Sequence, residues 1–136
     1  MSPRIKNILA VVVGVFAGGF INMGLIMISG KIIPPPPGTD FTTEEGLKAS
    51  MHLMEPKHFI IPFVAHALHA FIGSIVACKI AGSNMMRIAM IVGLIVFLGG
   101  AKMVYDLPSP MWFNVLDLGV AYFPMAYLGA KLVEKK

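Results

Sequence analysis

The chain has 136 residues, of which 57% are hydrophobic and 13% are charged. A soluble domain usually carries about 25% charged residues, so this sequence lacks the polar side chains that a water-exposed surface needs. An ordinary soluble enzyme, a disordered tail and a coiled coil are therefore excluded, and the single cysteine excludes a disulfide-stapled secreted domain. The net charge of +4 comes from basic residues at the ends of apolar segments, not from a basic stripe that would bind nucleic acid.

Four apolar segments approach the roughly 20 residues that a helix needs to cross a bilayer core of about 30 Å. They run from about 5 to 28, 58 to 81, 86 to 104 and 112 to 133. We therefore predict an all-α fold, a four-helix transmembrane bundle that forms one integral-membrane domain over residues 1–136. Turns are expected at 82–84 and 108–110, and Pro62 and Pro124 are expected to kink or loosen the second and fourth helices.

The long loop between the first two segments contains a further short helix. Four prolines at 34–37 form a stiff extended stretch that cannot be helical. Thr42, with Glu45 three residues later, then predicts the start of a helix over about 43–54. One side of this helix carries the apolar residues Leu47, Met51 and Met54. This pattern predicts an amphipathic helix that lies on the membrane surface.

The distribution of basic residues predicts the orientation. Seven of them lie on the side of the two termini and the middle turn: Arg4, Lys6, Lys79, Arg87, Lys131, Lys135 and Lys136. The opposite side carries four: Lys31, Lys48, Lys57 and Lys102. The positive-inside rule therefore places both termini in the cytoplasm and the loop over 31–57 outside.

Polar residues within the spans are the candidates for function, because an ionisable group is expensive in a bilayer. On the second span, one helical face carries His58, Pro62, His66, His69 and Gly73. On the fourth, Asn114, Asp117 and Ala121 share a face. If the two faces meet, Asp117 accepts a hydrogen bond from His66 or His69. His66 and Asp117 lie about 12 Å and 8 Å below the outer ends of their segments, so we expect a polar pocket in the outer half of the bilayer.

Three further residues complete the candidate set for ligand binding or a proton relay. Asn22 and Asn114 lie at a depth comparable to that of Asp117. Lys102 either joins the pocket from the third span or extends outward to the headgroups. A simpler hypothesis is that these groups only fix helix packing through interhelical hydrogen bonds of about 0.6 kcal/mol each. A pocket for a small ligand or lipid headgroup, and a proton or metal role, remain as alternatives.

Weaker patterns concern metals and haem, and the sequence does not identify a cofactor. Thioether and imidazole groups in the outer loop suit copper, and they belong to Met51, His52, Met54 and His58. Methionine, however, also commonly fills gaps in apolar helices. Glu55-x-x-His58 matches half of a di-iron helix pair, and the second half is absent. Haem needs two axial ligands, one on each side of its plane. His66 and His69 share one helical face, so one chain supplies at most one of these ligands, and a symmetric dimer would supply the other. No activated nucleophile is present, so no catalytic residue is predicted.

Small residues predict where helices pack. Gly14 and Gly18 are four residues apart, and Asn22 follows one step further on the same face. The third and fourth segments contain further glycines: Gly93, Gly99, Gly100, Gly119 and Gly129. These residues allow the four helices to meet, and the Gly14–Gly18 face is also the expected contact for a larger partner.

Several stretches together resemble an uncharacterised family of small four-span bacterial inner-membrane proteins. They are IIPPP at 32–36, KASMH at 48–52, EPKHF at 55–59, LPSPMWF at 107–113 and LDL at 116–118. The resemblance covers nearly the whole chain and implies a bacterial inner-membrane location. It implies no activity and no site residues.

The leading functional hypothesis is a non-enzymatic binding or accessory subunit. Its outer loops and polar pocket would contact a lipid, a small molecule or a larger membrane complex, with a homo-oligomer as a further possibility. The first alternative is a transporter or proton-relay element that uses His66, His69 and Asp117. The second is a haem- or metal-binding membrane protein.

Overall fold

The computed structural model describes residues 1–41 and 43–134, and this part of the chain contains helices and no strand. The prediction of an all-α fold is confirmed. Within the described part, three helical segments are long and apolar enough to cross a membrane. They are α1 (Pro3–Ile32), α3 (Ile60–Ile80) with the 3-10 turn that precedes it (Pro56–Phe59), and α4 (Met85–Asp106). The chain is therefore an integral membrane protein.

The predicted fourth segment is built from three pieces. The helix α5 (Met111–Leu116) continues into a π-helical segment (Asp117–Ala121), and α6 (Phe123–Glu134) follows. Pro124 is the second residue of α6, and Pro62 is the third residue of α3. Pro62 lies in the first turn of α3, directly after the 3-10 turn over Pro56–Phe59. In an unbroken α-helix, Pro124 would crowd the carbonyl of Val120, so the helix changes form just before it.

The first helix packs on α3 through its small residues. The buried residues of α1 are Ala10, Gly14 and Gly18, each four residues from the next. A Cβ atom at Gly14 would meet the carbonyl oxygen of Gly73, and one at Gly18 would overlap the carbonyl oxygen of His69. Such close backbone contact is what drives helix association in lipid, where apolar side chains gain nothing by leaving the bilayer. The Gly14–Gly18 face is thus covered by α3, and the expectation that it contacts a larger partner was wrong.

The helix α3 lies at the centre of the protein and contacts α1, α4 and α6. Its buried side chains are all small: Ala65, Ala67, Ala70, Gly73, Ser74, Ala77 and Cys78. Gly129 of α6 lies against Ser74 of α3. A Cβ atom at Gly93 of α4 would lie 3.0 Å from the Cβ of Ala126 on α6. These glycines therefore let α6 pack closely against both α3 and α4.

One end of the protein is fastened by Asn7, which the sequence pattern did not indicate. Its Oδ1 accepts hydrogen bonds from the N–H groups of Gly82 (2.9 Å) and Ser83 (3.3 Å), and its Nδ2 donates to the Ser83 hydroxyl (3.1 Å). Asn84 completes this turn with a positive φ of 50°, a conformation that asparagine tolerates. The start of α1 and the predicted turn between α3 and α4 therefore lie at the same end of the protein.

The opposite end of the protein carries the short helix α2 (Glu44–Ser50) and the 3-10 turn after it (Met51–Leu53). Thr43 caps α2 by accepting a hydrogen bond from the Gly46 N–H (2.9 Å). Thr42, the expected cap, lies outside the described residues, as do Lys135 and Lys136. The apolar side of this segment consists of Leu47, Met51 and Met54. It packs on Phe59 and Phe113 and so covers the starts of α3 and α5.

Candidate functional site

Asp117 is the centre of a buried polar cluster. Its residue is 2% exposed, and both carboxylate oxygens accept hydrogen bonds. The Nδ1 of His66 donates to Oδ1 at 2.8 Å, and the hydroxyl of Tyr122 donates to Oδ2 at 2.8 Å. Two such donors stabilise an ionised carboxylate where water is excluded. The contact expected between the polar faces of the second and fourth segments is therefore formed, and His66 is the histidine that makes it.

The π-helical segment explains why Tyr122 reaches Asp117. Five residues along an α-helix turn the side chain by about 500°, which leaves the two residues roughly 140° apart around the axis. In a π-helix the hydrogen bonds join residues five apart, so these residues stack above each other on one face. The segment over Asp117–Ala121 thus brings the hydroxyl of Tyr122 to the carboxylate. Tyr122 was missed in the sequence analysis because α-helical spacing places it on another face.

Neighbouring helices hold Tyr122 in this position. Its ring stacks on the imidazole of His66, with ring centroids 6.0 Å apart and an interplanar angle of 23°. Phe97 of α4 meets the same ring edge-on at 5.9 Å. Gly100 of α4 leaves the space that the Tyr122 hydroxyl fills. Three helical segments therefore fix the cluster of His66, Asp117 and Tyr122, which we call the His–Asp–Tyr centre.

The second ring nitrogen of His66 is the open position of the centre. The side chain of His66 is 23% exposed, in contrast to that of Asp117. Its Nε2 has no hydrogen-bond partner among the described residues, and it is not enclosed by protein. Nε2 is therefore the ring atom of His66 that is left to meet a polar group from outside the protein.

His69 has a different partner and lies outside the centre. Its Nε2 donates to the carbonyl oxygen of Val15 on α1 at 3.0 Å. The ring lies beside Gly18 and Gly19, which provide the space for it. His69 therefore links α3 to α1, while His66, three residues earlier, faces Asp117.

The other candidates also lie apart from the centre. Asn114 accepts a hydrogen bond from the Ser109 hydroxyl (2.6 Å) and donates to the Ser109 carbonyl (3.3 Å), so it orders the loop before α5. Lys102 forms an ion pair with Asp106 at the end of α4, and its side chain is 75% exposed. Of its two expected positions, it takes the outward one. The Oδ1 of Asn22 is buried and has no hydrogen-bond partner among the described residues.

The weak metal candidates are engaged in local structure. His58 accepts a hydrogen bond from the Glu55 N–H on Nδ1 (2.9 Å) and donates from Nε2 to the carbonyl of Pro34 (3.0 Å), so neither ring nitrogen has a free lone pair. Glu55 pairs with Lys57 at 3.7 Å. Met51 and Met54 belong to the apolar cluster around Phe59, and His52 is exposed. Within the described residues, no three side chains of His, Cys, Asp or Glu are grouped to hold a metal ion.

An apolar groove lies between α3 and α5, near the start of both helices. Its volume is about 150 Å³, and its lining includes Phe59, Phe63, Val64, Trp112, Phe113 and Leu116. A second cavity of about 300 Å³ lies between α2 and the end of α4, next to Glu44 and Asp106. Asp117 lines neither of them, because its partners enclose it.

The centre joins a buried carboxylate to an accessible imidazole nitrogen. Such a pair can bind a polar group at Nε2, or move a proton between Nε2 and the carboxylate. No family model, curated protein or solved structure matches this chain.

Proposed function

We propose that this chain is a four-span protein of a bacterial inner membrane and acts as a non-enzymatic binding or accessory subunit. The helical path from Met111 to Glu134 supports a fourth span, because that many residues extend about 35 Å. The Asn7 contacts at the inner end agree with helices that alternate in direction. The excess of basic residues at that end supports cytoplasmic termini.

The observation that carries the binding role is the unequal use of the two nitrogens of His66. Asp117 takes Nδ1 and fixes the ring, while Nε2 has no partner among the described residues. Where a hydrogen bond only fixes helix packing, its donor and its acceptor both belong to the protein. The bond from His69 to the carbonyl of Val15 is of this kind. His66 instead presents a fixed ring nitrogen without a partner among the described residues, about 9 Å inside the start of α3. This nitrogen would hold a polar molecule by a hydrogen bond at that depth, which is the binding role that we propose.

Mass spectrometry of the protein, purified in a mild detergent with its bound lipids and small molecules, tests this proposal. We expect a bound species that is lost in Asp117→Asn, because an amide no longer fixes the His66 hydrogen on Nδ1. The matched control is Asp106→Asn, since that carboxylate pairs with the exposed Lys102 and lies outside the centre. A species retained equally in both variants, or none in the wild type, would contradict the proposal. Bound haem or metal in the same spectra would favour the metal hypothesis instead.

A proton relay is the second candidate function. The direct hydrogen bond between His66 and Asp117 favours it. The imidazole of His66 connects an accessible nitrogen to the buried Asp117, which is the arrangement that passes a proton inward. Vesicles that contain the protein and an internal pH-sensitive dye measure this directly. Proton flux that Asp117→Asn abolishes and Asp106→Asn leaves unchanged would support the relay. No flux above that of empty vesicles would eliminate it.

A further inference from the structure

The larger cavity, of about 300 Å³, lies where α2 meets the C-terminal end of α4. Two carboxylates line it: Glu44 from the first turn of α2, and Asp106, the last residue of α4. Apart from Thr43, the other lining residues in the described part of the chain are apolar, Leu47 and Met103 among them. None of the described lining residues is basic, so the lining combines negative charge with an apolar wall. Its volume is at the lower end of the range for small-molecule sites.

Each of the two carboxylates keeps one oxygen free. Oε1 of Glu44 pairs with Lys48 at 3.3 Å, and Oδ2 of Asp106 pairs with Lys102. The second oxygen of each carboxylate accepts no hydrogen bond from a described residue. A primary ammonium group carries three N–H donors, and hydrogen bonds between two charged groups are the strong ones. The cavity therefore suits a ligand with a primary ammonium group.

The two lysines supply the opposite charge next to the same cavity. Neither lines it, and the side chains of Lys48 and Lys102 are both exposed. Lys102 also lies within electrostatic reach of Glu44, so the charges of α2 and α4 form one alternating group. A molecule that carries an anion close to its ammonium group meets a lysine as well as a carboxylate here. A zwitterion is therefore matched better than a simple cation.

The cavity lies at the end of a membrane-spanning helix. Asp106 ends α4, one of the three segments that can cross a membrane, and the adjacent Tyr105 is 90% exposed. Tyrosine is enriched where a span meets the lipid headgroups. Met103, three residues further into the span, lines the cavity and is 48% exposed. A ligand here has its charges at headgroup level and its apolar part along the surface of α4.

We propose that this cavity binds the headgroup of phosphatidylethanolamine. The ammonium group donates to the free oxygens of Glu44 and Asp106, the phosphate faces Lys48 and Lys102, and the acyl chains lie along the apolar surface that begins at Met103. Phosphatidylcholine has the same charges but no N–H donor, and phosphatidylglycerol has no cation. The site is separate from the His–Asp–Tyr centre, because Asp117 does not line the cavity, and it goes beyond the function proposed above.

Native mass spectrometry of the full chain, titrated with single lipids in dodecyl maltoside micelles, tests this inference. The detergent is uncharged and does not compete for the carboxylates. We expect phosphatidylethanolamine to bind about tenfold more tightly than phosphatidylcholine or phosphatidylglycerol, the factor that one charge-assisted hydrogen bond supplies. Soluble phosphoethanolamine has the same charges without acyl chains and should bind much more weakly. Equal affinities for the three lipids would overturn the inference, and phosphoethanolamine binding as tight as that of the lipid would overturn the choice of a lipid.

A matched pair of amide variants tests the role of the carboxylates. Glu44 and Glu45 are adjacent, exposed residues in the first turn of α2, and of these two only Glu44 lines the cavity. Glu44→Gln should weaken binding of phosphatidylethanolamine about tenfold and bring it close to that of phosphatidylcholine. Glu45→Gln should leave both affinities unchanged. Equal effects of the two variants would show that the lipid is held by general surface charge and would overturn the inference.

A second pair of variants tests the cavity itself and leaves its charges in place. Met103 lines the cavity, while Leu98, also exposed on α4, does not line it. Met103→Trp should fill the space and weaken binding of phosphatidylethanolamine about tenfold, and Leu98→Trp should have no effect. Binding that is unchanged in Met103→Trp would overturn the inference.

Failure of this inference and failure of the proposed function give different results. Bound phosphatidylethanolamine should be lost in Asp106→Asn and retained in Asp117→Asn. The species held by His66 should show the opposite dependence. Loss of phosphatidylethanolamine in Asp117→Asn alone would overturn the site described here and would assign the lipid to the His–Asp–Tyr centre.

Discussion

Gly100 of α4 lies so close to the Tyr122 hydroxyl that a Cβ atom at position 100 would overlap that oxygen. The same hydroxyl donates to Asp117, so the space at Gly100 determines whether the His–Asp–Tyr centre can form. Gly100→Ala should displace Tyr122 and destabilise the protein by about 2 kcal/mol, since a buried carboxylate loses a donor. Unfolding in mixed micelles, followed by circular dichroism, measures this change.

Gly99 provides the matched control for Gly100. It is the adjacent residue on α4, it is exposed, and a Cβ atom there would meet nothing within 4 Å. Gly99→Ala should therefore be neutral or stabilise the protein by up to about 1 kcal/mol, the usual gain from alanine over glycine in a helix. Equal effects of the two alanines would show that position 100 does not position Tyr122.

Removal of the Tyr122 hydroxyl tests the centre directly. Tyr122→Phe keeps the ring against His66 and Phe97 but leaves Oδ2 of Asp117 without its donor. We expect a loss of about 1–3 kcal/mol in the free energy of unfolding. Tyr127→Phe is the control, because Tyr127 is exposed and its hydroxyl is outside the centre. A double-mutant cycle with Asp117→Asn should show coupling, and strict additivity would contradict a direct bond between the two.

The sequence was sufficient for the three long helices because their apolar segments and the breaks between them are strong local signals. It also predicted that Asp117 would bond to His66 or His69 if the two polar faces met, but it did not choose between the two histidines. The sequence did not determine the direction of the Lys102 side chain, because a lysine near a helix end can extend either inward or outward. The structure shows that Asp106, one turn later, holds it at the C-terminal end of α4.

The rest of the centre depends on a departure from α-helical geometry. Pro124 indicated a break, but nothing local specifies that the turn before it is π-helical. That change alone moves Tyr122 onto the face of Asp117. The different partners of His66 and His69 were equally out of reach, because they depend on where α1 crosses α3. Gly18 fixes that crossing, and the histidine beside it is His69.

Gly18 also allows a prediction about helix association. A Cβ atom there would overlap the carbonyl oxygen of His69, while one at Gly24 would meet nothing within 4 Å. Gly18→Ala should separate α1 from α3, break the bond between His69 and Val15, and cost about 2 kcal/mol or more. Gly24→Ala should cost nothing, as a helical alanine is favoured over glycine. A Gly18→Ala protein as stable as the wild type would disprove the close crossing.

His58 should control the order of the loop between α1 and α2. Its ring joins the Glu55 N–H to the carbonyl of Pro34, and the neighbouring Phe59 packs against Trp112. His58→Ala removes both bonds, so we expect faster hydrogen exchange over 33–41 and a shifted emission of Trp112, the single tryptophan. The control is His52→Ala, since His52 is exposed. Unchanged exchange in His58→Ala would show that the loop is held by other contacts.

A substitution at Asn22 tests whether this polar residue of α1 stabilises the protein. Its Oδ1 is buried without a hydrogen-bond partner in the described part of the chain, which costs free energy in the protein as it stands. Asn22→Leu should therefore keep or raise the free energy of unfolding, by about 1 kcal/mol, because an apolar group of similar size removes that cost. Met23→Leu at the exposed neighbouring position should change it little. A clear loss of stability in Asn22→Leu alone would mean that the amide has a partner in the membrane, such as a bound molecule or a second copy of the chain.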